Sequence, residues 1–228
     1  MNKSEAKTIA RAGKRVLIVD DHPVVRQGLA NIISQDDGFS VCGMAGSVQE
    51  AMNEIEATRP DLVLTDLGLP GRNGVELIKD LRSLYPDVPV LVMSMHDELI
   101  YAERVLRAGG RGYVMKEASS EVLLHALRRV VEGGVFVSET VTNHFLEGMS
   151  TGTGKKASFP LQRLTDRELE VFELIGRGKG NHEIGNQLSI SARTVDAHRA
   201  HIREKLGLAD GTELTRYAVR WVESSVIE

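Results

Sequence analysis

Between Val16 and Val131, short and continuously apolar runs alternate with segments of helical spacing. Val16-Leu17-Ile18-Val19 runs into Asp20-Asp21, after which Val24, Val25, Leu29, Ile32 and Ile33 recur on one side of a helix. Phe39 to Cys42, Leu62 to Leu64, Val90 to Met93 and Gly112 to Met115 read as four more strands. Val48 to Ile55, Val75 to Leu84, Leu99 to Leu106 and Glu121 to Val131 read as the helices between and after them. Strands that are apolar throughout, rather than alternating, are buried on both faces. Five of them separated by helices predict a five-stranded parallel sheet, and right-handed crossovers place helices on both of its faces.

The pattern then changes. Residues 138–149 allow one more helix, with Val141, Phe145 and Met149 four apart. Residues 150–158 are small, polar and glycine-containing without apolar periodicity, as in a flexible linker. From 161 onward no strand-like run occurs. Thr165 followed by Glu168 forms a capping-box signature, with Leu164 and Leu169 placed as a hydrophobic staple. The helix it starts is stopped by Gly176 and Gly178. A short second helix is expected from Asn181 to Leu188, a third capped by Ser191 and running to Leu206, and a fourth capped by Thr212. Leu214, Tyr217, Ala218, Trp221 and Val222 are the apolar stripe of that fourth helix.

Composition narrows the class. With 42% hydrophobic and 26% charged residues among 228, wholesale disorder is excluded and the length suits one or two domains. The single cysteine, Cys42, excludes a disulfide framework and fits a reducing cytoplasm; its apolar neighbours give it a packing role. No apolar run approaches a membrane span, and the opening MNKSEAKTIARAGKR lacks the apolar centre of a signal peptide. A cytoplasmic protein with no membrane partner is expected. The net charge of −4 argues at first against nucleic acid, but it is unevenly spread. Residues 1–133 hold 16 Lys/Arg against 19 Asp/Glu, whereas 177–205 hold six (177, 179, 193, 199, 203, 205) against three (183, 196, 204).

Function in a doubly wound sheet gathers at the C-terminal ends of its strands. Those ends deliver Asp20 and Asp21, Asp66, Ser94 and Lys116. Each alone has an ordinary reading as a helix cap, a strand-end residue or a solvated cation. Together they are three carboxylates, a hydroxyl and an ammonium. Clustered carboxylates repel unless a cation neutralises them, and hard oxygen ligands suit Mg²⁺. A carboxylate beside that ion and a lysine is equipped to attack phosphorus, forming an aspartyl phosphate.

VLIVDDHP (Val16 to Pro23), LTDLGLPG (Leu64 to Gly71), LVMSMH (Leu91 to His96) and GYVMK (Gly112 to Lys116) resemble receiver domains of two-component response regulators over residues 14–133. The resemblance implies a flavodoxin-like α/β fold and Asp66 as the acceptor of phosphate from a sensor histidine kinase. It implies that Asp20, Asp21, Asp66 and the Gly68 carbonyl hold Mg²⁺, with Asp20 acting mainly through water. Lys116 then contacts the phosphoryl group, and Ser94 with Tyr113 forms a switch in which the ring turns inward as the hydroxyl moves to phosphate. Gly68 and His96 match variable positions that tune the lifetime of the aspartyl phosphate. His22, ahead of the helix-starting Pro23, is given a structural role.

In the tail, Asn181 to Ala200 has two helices around a tight turn at Ser189 to Ser191, with Ile184, Leu188, Ile190 and Val195 spaced to pack them. This is a helix-turn-helix layout, whose second helix enters the major groove; a small protein-docking module shares the same pattern. LTDRELEV (Leu164 to Val171), Gly176 with Gly178, and Ile190-Ser191 with Thr194-Val195 and His198, followed by KLG (Lys205 to Gly207), resemble the LuxR-type DNA-binding domain over 161–226. The whole chain is similar to NarL/FixJ response regulators: a receiver at 14–133, a connecting helix and linker at 134–160, and an all-α four-helix domain at 161–228. Arg193, Thr194, Asp196, Ala197, Arg199, Ala200, His201, Arg203 and Lys205 are the candidate contacts to double-stranded DNA, bound by a homodimer. Asp196 and Ala200 depart from the basic or polar residues often found at those positions; Asp196 either accepts from a cytosine amino group or faces away. Arg193, Arg199, His201, Arg203 and Lys205 suit phosphates. His182, His198 and His201 lack a zinc framework.

The resulting expectation is a transcriptional regulator switched by phosphorylation, not an enzyme acting on external substrates. Its alternatives are a phosphorylation-independent DNA binder and a receiver with a protein-docking tail. In this class the inactive receiver often covers the recognition helix, and the same masking is expected here.

Overall fold

A computed structural model describes residues 13–72, 74–150 and 160–225. The expected linker at 150–158 lies, beyond Ser150, outside the described residues.

The five strands are β1 (Lys14–Val19), β2 (Phe39–Ala45), β3 (Leu62–Thr65), β4 (Val90–Ser94) and β5 (Gly112–Met115). They are parallel and ordered β2-β1-β3-β4-β5. The crossover helices are α1 (Pro23–Ser34), α2 (Val48–Thr58), α3 (Gly74–Leu84), α4 (Glu98–Ala108) and α5 (Ser120–Val131). Alternation along each strand explains the layers. Val16, Ile18, Leu62, Leu64, Leu91 and Met93 pack with Leu29 and Ile33 of α1 and with Leu123, Leu127 and Val130 of α5. Leu17, Val19, Val63, Val92 and Tyr113 point the other way, to Ile55 of α2, Leu77 and Leu81 of α3 and Val105 of α4. Burying such a side chain fully contributes about 1.5–3 kcal/mol. Phe136, whose position the strand pattern did not mark, bridges to β5: the Tyr113 amide donates to its carbonyl at 2.9 Å.

Winding reverses between β1 and β3, so the strand ends of β1, β3 and β5 open on a crevice. The loop after β3 is set by Gly74. Its amide donates to the Leu67 carbonyl at 2.9 Å, and a Cβ there would meet the Asp66 carbonyl and lie 2.9 Å from Leu67 Cα. Only glycine lets α3 begin this close to Asp66.

Helix α6 (Glu139–Ser150) packs on α4, tied by Ser138 Oγ donating to Glu98 Oε1 at 2.7 Å. A 3-10 turn at Pro160–Arg163, unmarked by any periodic pattern, precedes α7 (Asp166–Gly176), α8 (Asn181–Leu188), α9 (Ala192–Leu206) and α10 (Gly211–Ser225). The Thr165–Glu168 capping box forms at α7, and Ser191 Oγ accepts from the Thr194 amide at α9. The cap expected at Thr212 is instead Asp210, whose Oδ1 accepts from the amides of both Thr212 and Glu213 at 2.8 Å. A carboxylate accepts both orphan amides at once, placing Thr212 inside the first turn.

The two halves meet at α4. Arg104 donates through one terminal nitrogen to Asp166 Oδ1 at 3.0 Å and through the other to the Leu161 carbonyl at 2.8 Å. Lys79 Nζ reaches the second Asp166 oxygen at 2.9 Å. Burial would raise the Asp166 pKa, but Lys79 and Arg104 outweigh it and hold the carboxyl below its ordinary value. Glu173 of α7 accepts from the Tyr101 hydroxyl at 2.8 Å and pairs with His96 Nδ1 at 2.9 Å. Burial disfavours charge on His96, yet the charge and hydrogen bond of Glu173 prevail and raise the imidazole pKa.

Two outcomes follow from this packing. Gly74→Ala should cost about 1–3 kcal/mol by overpacking, read in thermal unfolding, because the obstructing atoms are backbone. The His96–Glu173 pair contributes fully below about pH 6.5, the ordinary imidazole value, and is lost as pH rises through the raised pKa. Small-angle scattering of the full chain should therefore show the halves separating on the alkaline side, and His96→Asn should abolish that dependence.

Candidate functional site

Asp20, at the end of β1, is almost wholly buried; its Oδ2 lies 2.6 Å from Lys116 Nζ and its Oδ1 accepts from the His22 amide at 2.8 Å. Asp66, at the end of β3, uses Oδ1 to accept from the Leu67 amide at 2.7 Å and Oδ2 to accept from Lys116 at 2.8 Å. Lys116 follows β5 and is positioned by its amide, which donates to the Ser94 carbonyl at 2.9 Å. Burial would lower the Lys116 pKa; the Asp20 and Asp66 carboxylates overcome it and raise the value, so the ammonium stays charged.

Asp21 completes the carboxylate group. Its buried Oδ1 has no hydrogen-bond donor; His22 Nδ1 lies 2.7 Å away but without hydrogen-bond geometry. One ligand atom each from Asp20, Asp21 and His22 lie within 4.8 Å of one another. Within that group the two carboxylates, one of them with an orphaned buried oxygen, fit a hard divalent cation. Gly68 is exposed in the loop after β3, and a Cβ there would stand 3.5 Å from Asp66 Oδ2, so its backbone borders the same space. His22 turns most of its ring to solvent, and its main-chain amide donates to Asp20 Oδ1.

Ser94 is fully buried at the end of β4, with its Oγ accepting from the His96 amide at 3.4 Å. Tyr113 is 1% exposed, its hydroxyl donating to the His96 carbonyl at 2.7 Å. Burial pushes the phenol pKa well up, the hydrogen bond with Ser94 opposes it, and the Glu173 and Asp66 charges add to the rise. The ring thus occupies the inward of its two expected positions, sealed under the His96 main chain.

The second candidate surface is α9. Arg193, Thr194, Asp196, Ala197, Ala200 and His201 are exposed along it. Asp196 neither faces inward nor stands alone, because the Asn181 side chain donates to its Oδ1. Arg199 is partly buried and reaches Thr215 Oγ1 at 3.5 Å; burial lowers its pKa, Asp196 opposes this and Arg203 adds to it. Lys205 gives its ammonium to Glu168 Oε2 at 2.5 Å, and Arg203 is partly buried. Glu168 thereby serves as both capping-box partner and anchor for α9. The expected masking is not found: the first half docks on the 3-10 turn and α7, a Cβ at Gly71 would stand 3.9 Å from Ser189 Oγ in the turn before α9, and the outer face of α9 is left open.

The sequence reading missed Glu173, Tyr101, Arg104 and Asp166, whose partners are 57 to 87 residues away. Glu173 carried one local signal, an acid among the apolar positions Val171, Phe172, Leu174 and Ile175. Gly74 lies one residue before the helix read from Val75 to Leu84, and nothing in the local pattern marked its close approach to Asp66. Cys42, expected in the core, is half-buried with Sγ 3.5 Å from Thr58 Oγ1. Among the described residues no helix is long and apolar enough to cross a membrane.

Residues 16–128 match the response regulator receiver domain, and 162–218 match the luxR family of bacterial regulatory proteins. The oxygen regulatory protein NreC of Staphylococcus carnosus is 35% identical over 210 residues, covering 90% of this chain and 97% of the relative. Among solved structures, RcsB of Salmonella enterica serovar Typhimurium bound to promoter rprA with phosphomimetic BeF₃⁻ is 26% identical with a TM-score of 0.65. That match covers 91% of this chain and 98% of the other. A structure of two RcsB dimers bound to two parallel DNAs is also 26% identical, with a TM-score of 0.56 and coverage of 94% and 99%. With both domains matched in order and a relative aligned end to end, the chain belongs to the two-component response regulators that join a receiver to a LuxR-type DNA-binding domain.

Proposed function

We propose that Asp66 accepts a phosphoryl group from a phosphohistidine of a sensor histidine kinase, and that this controls binding of a homodimer to double-stranded DNA through α9. The receiver is assigned to 14–133, the connecting helix and linker to 134–160 and the DNA-binding domain to 161–228, in a cytoplasmic protein. The observation that carries this reading is the Asp66 carboxylate: nearly buried at a strand end, 2.8 Å from Lys116 and grouped with Asp20 and Asp21. The matched RcsB structure, described as a dimer on DNA, supports the choice of partner and assembly.

In the transfer, an Asp66 oxygen forms a bond to phosphorus as the phosphorus–nitrogen bond to the kinase imidazole breaks. The imidazole leaves with that electron pair. Lys116 stays charged beside the reacting oxygen and meets the negative charge of the incoming phosphoryl group, to which the Ser94 hydroxyl donates. Mg²⁺, held by Asp20, Asp21, Asp66 and the Gly68 carbonyl, supplies further neutralisation of phosphoryl charge when bound. On DNA, exposed Arg193 and the mostly exposed His201, whose Nδ1 lies 3.9 Å from Glu168 Oε1, are the groups offered to phosphates, with Arg199, Arg203 and Lys205 at the edge. Asp196, steadied by Asn181, accepts from a cytosine amino group, while Thr194, Ala197 and Ala200 meet base edges and thymine methyls.

Incubation with acetyl phosphate and Mg²⁺ should add a single phosphoryl group, seen by intact mass. Asp66→Asn should abolish it, and Lys116→Met should slow it by about 10²-fold or more, the scale of losing one electrostatic stabiliser. Full labelling of Asp66→Asn would refute the assignment. On a cognate DNA site, Arg193→Ala should weaken binding to all sequences alike and reduce the slope of log affinity against log salt by about one.

A further inference from the structure

Glu173 is an acid placed where α7 otherwise presents apolar side chains, and it is 4% exposed. Its side chain takes no part in starting α7, which falls to Glu168; within its own domain only its main-chain carbonyl is used, accepting from the Arg177 amide at 2.9 Å. Both of its oxygens are instead committed to the receiver, one accepting from the Tyr101 hydroxyl at 2.8 Å and the other pairing with His96 Nδ1 at 2.9 Å. The Tyr101 and His96 rings are themselves in contact, with centroids 4.8 Å apart.

His96 has a second bond that matters. Its side chain faces the DNA-binding domain, while its main-chain carbonyl accepts from the Tyr113 hydroxyl at 2.7 Å and its amide donates to Ser94 Oγ at 3.4 Å. One residue therefore joins the docked domain to both members of the switch. If Tyr113 swings out, the bond that fixes the His96 main chain is lost, and with it the aim of the imidazole at Glu173. If the domains part, Tyr101 and His96 lose their shared acceptor, and the segment that holds the Tyr113 hydroxyl loosens. Each event weakens the other arrangement, and such coupling is reciprocal by thermodynamic necessity.

We propose that Glu173 is a positioning residue through which the DNA-binding domain holds Tyr113 in its inward position, so that docking and phosphoryl uptake at Asp66 favour one another. The inference rests on the reading of Asp66 as phosphoacceptor. It assigns the α4–α7 contact a sign opposite to that of a mask: docking primes the receiver for phosphate and leaves the outer face of α9 open.

The test is the affinity of the full chain, in Mg²⁺, for beryllofluoride as a phosphoryl mimic. Glu173→Gln keeps the shape of the side chain and removes its charge. It should weaken beryllofluoride binding by about fivefold or more, the lower end of measured couplings between sites. Tyr101→Phe, which deletes one hydroxyl, should move the affinity in the same direction by less. Mg²⁺ affinity without beryllofluoride should be unchanged in both, since neither residue touches the carboxylates; a merely unfolded variant loses Mg²⁺ binding too, and Tyr101→Phe then decides. Small-angle scattering should show beryllofluoride making the native chain more compact and leaving Glu173→Gln unaffected. Beryllofluoride binding that is equal or tighter in the Mg²⁺-competent variants, or expansion of the native chain, overturns the inference alone. A native chain that takes up no beryllofluoride overturns the Asp66 assignment and the inference together.

Discussion

Asp20 and Asp66 arrive from two neighbouring strands and share one ammonium, Lys116 Nζ, at 2.6 and 2.8 Å. Two like charges about 4 Å apart repel by about 4 kcal/mol at an effective dielectric of 20, so a third group must hold such a pair together. The parallel order β2-β1-β3-β4-β5 is the frame that permits it. It sets the ends of β1, β3 and β5 around one crevice, and burial of every residue of β3 and β4 keeps them in register. Gly74 lets α3 start against the Asp66 backbone, and the Ser94 carbonyl fixes the main chain of Lys116. The carboxylates then differ in role: two are held by the ammonium, while Asp21 keeps an oxygen without a donor.

From this cluster the structure runs outward through Ser94 and Tyr113, the proposed switch pair. Ser94, His96 and Tyr113 are linked by hydrogen bonds within the receiver, and His96 continues the chain to Glu173 in the other domain. The contact is polar and specific, with ion pairs at Asp166 and Glu173. It occupies α7 and the preceding 3-10 turn, with Gly71 close to Ser189 in the turn before α9, rather than the outer face of α9 itself. Charge is placed to match: Lys205 is spent inside its own domain on Glu168, while Arg193 is exposed on the open face of α9 and His201, although 3.9 Å from Glu168 Oε1, keeps most of its ring in solvent. A chain with net charge −4 can thus present a usable surface to phosphates, because its acids are drawn inward to Lys116, Lys205 and the domain contact.

What the sequence made legible is whatever depends on local period or on topology. Continuous apolar runs mark the strands, and a parallel sheet alone then gathers their ends, with Asp20, Asp66 and Lys116, at one edge. The Thr165 and Ser191 caps were readable because side chain and acceptor site lie three residues apart. Asp210 was missed for Thr212 because both are good caps and only the geometry of the turn chooses between them. The contact between domains was not legible at all. Tyr101 and Glu173 are 72 residues apart, and nothing periodic connects them. Masking of α9, expected from the resemblance, failed for the same reason: the docking face is set by which side chains pair across the domains, and these are tyrosine, histidine and arginine on α4 and its approach.

The central proposal is that phosphate at Asp66 governs the hold of α9 on DNA. Genome-wide DNA capture with the native chain and with Asp66→Ala, each with and without a phosphoryl donor, measures this directly. The donor should strengthen capture of a defined set of sites by the native protein and leave the variant at its low basal level. Equal capture by both proteins, with or without the donor, would contradict it.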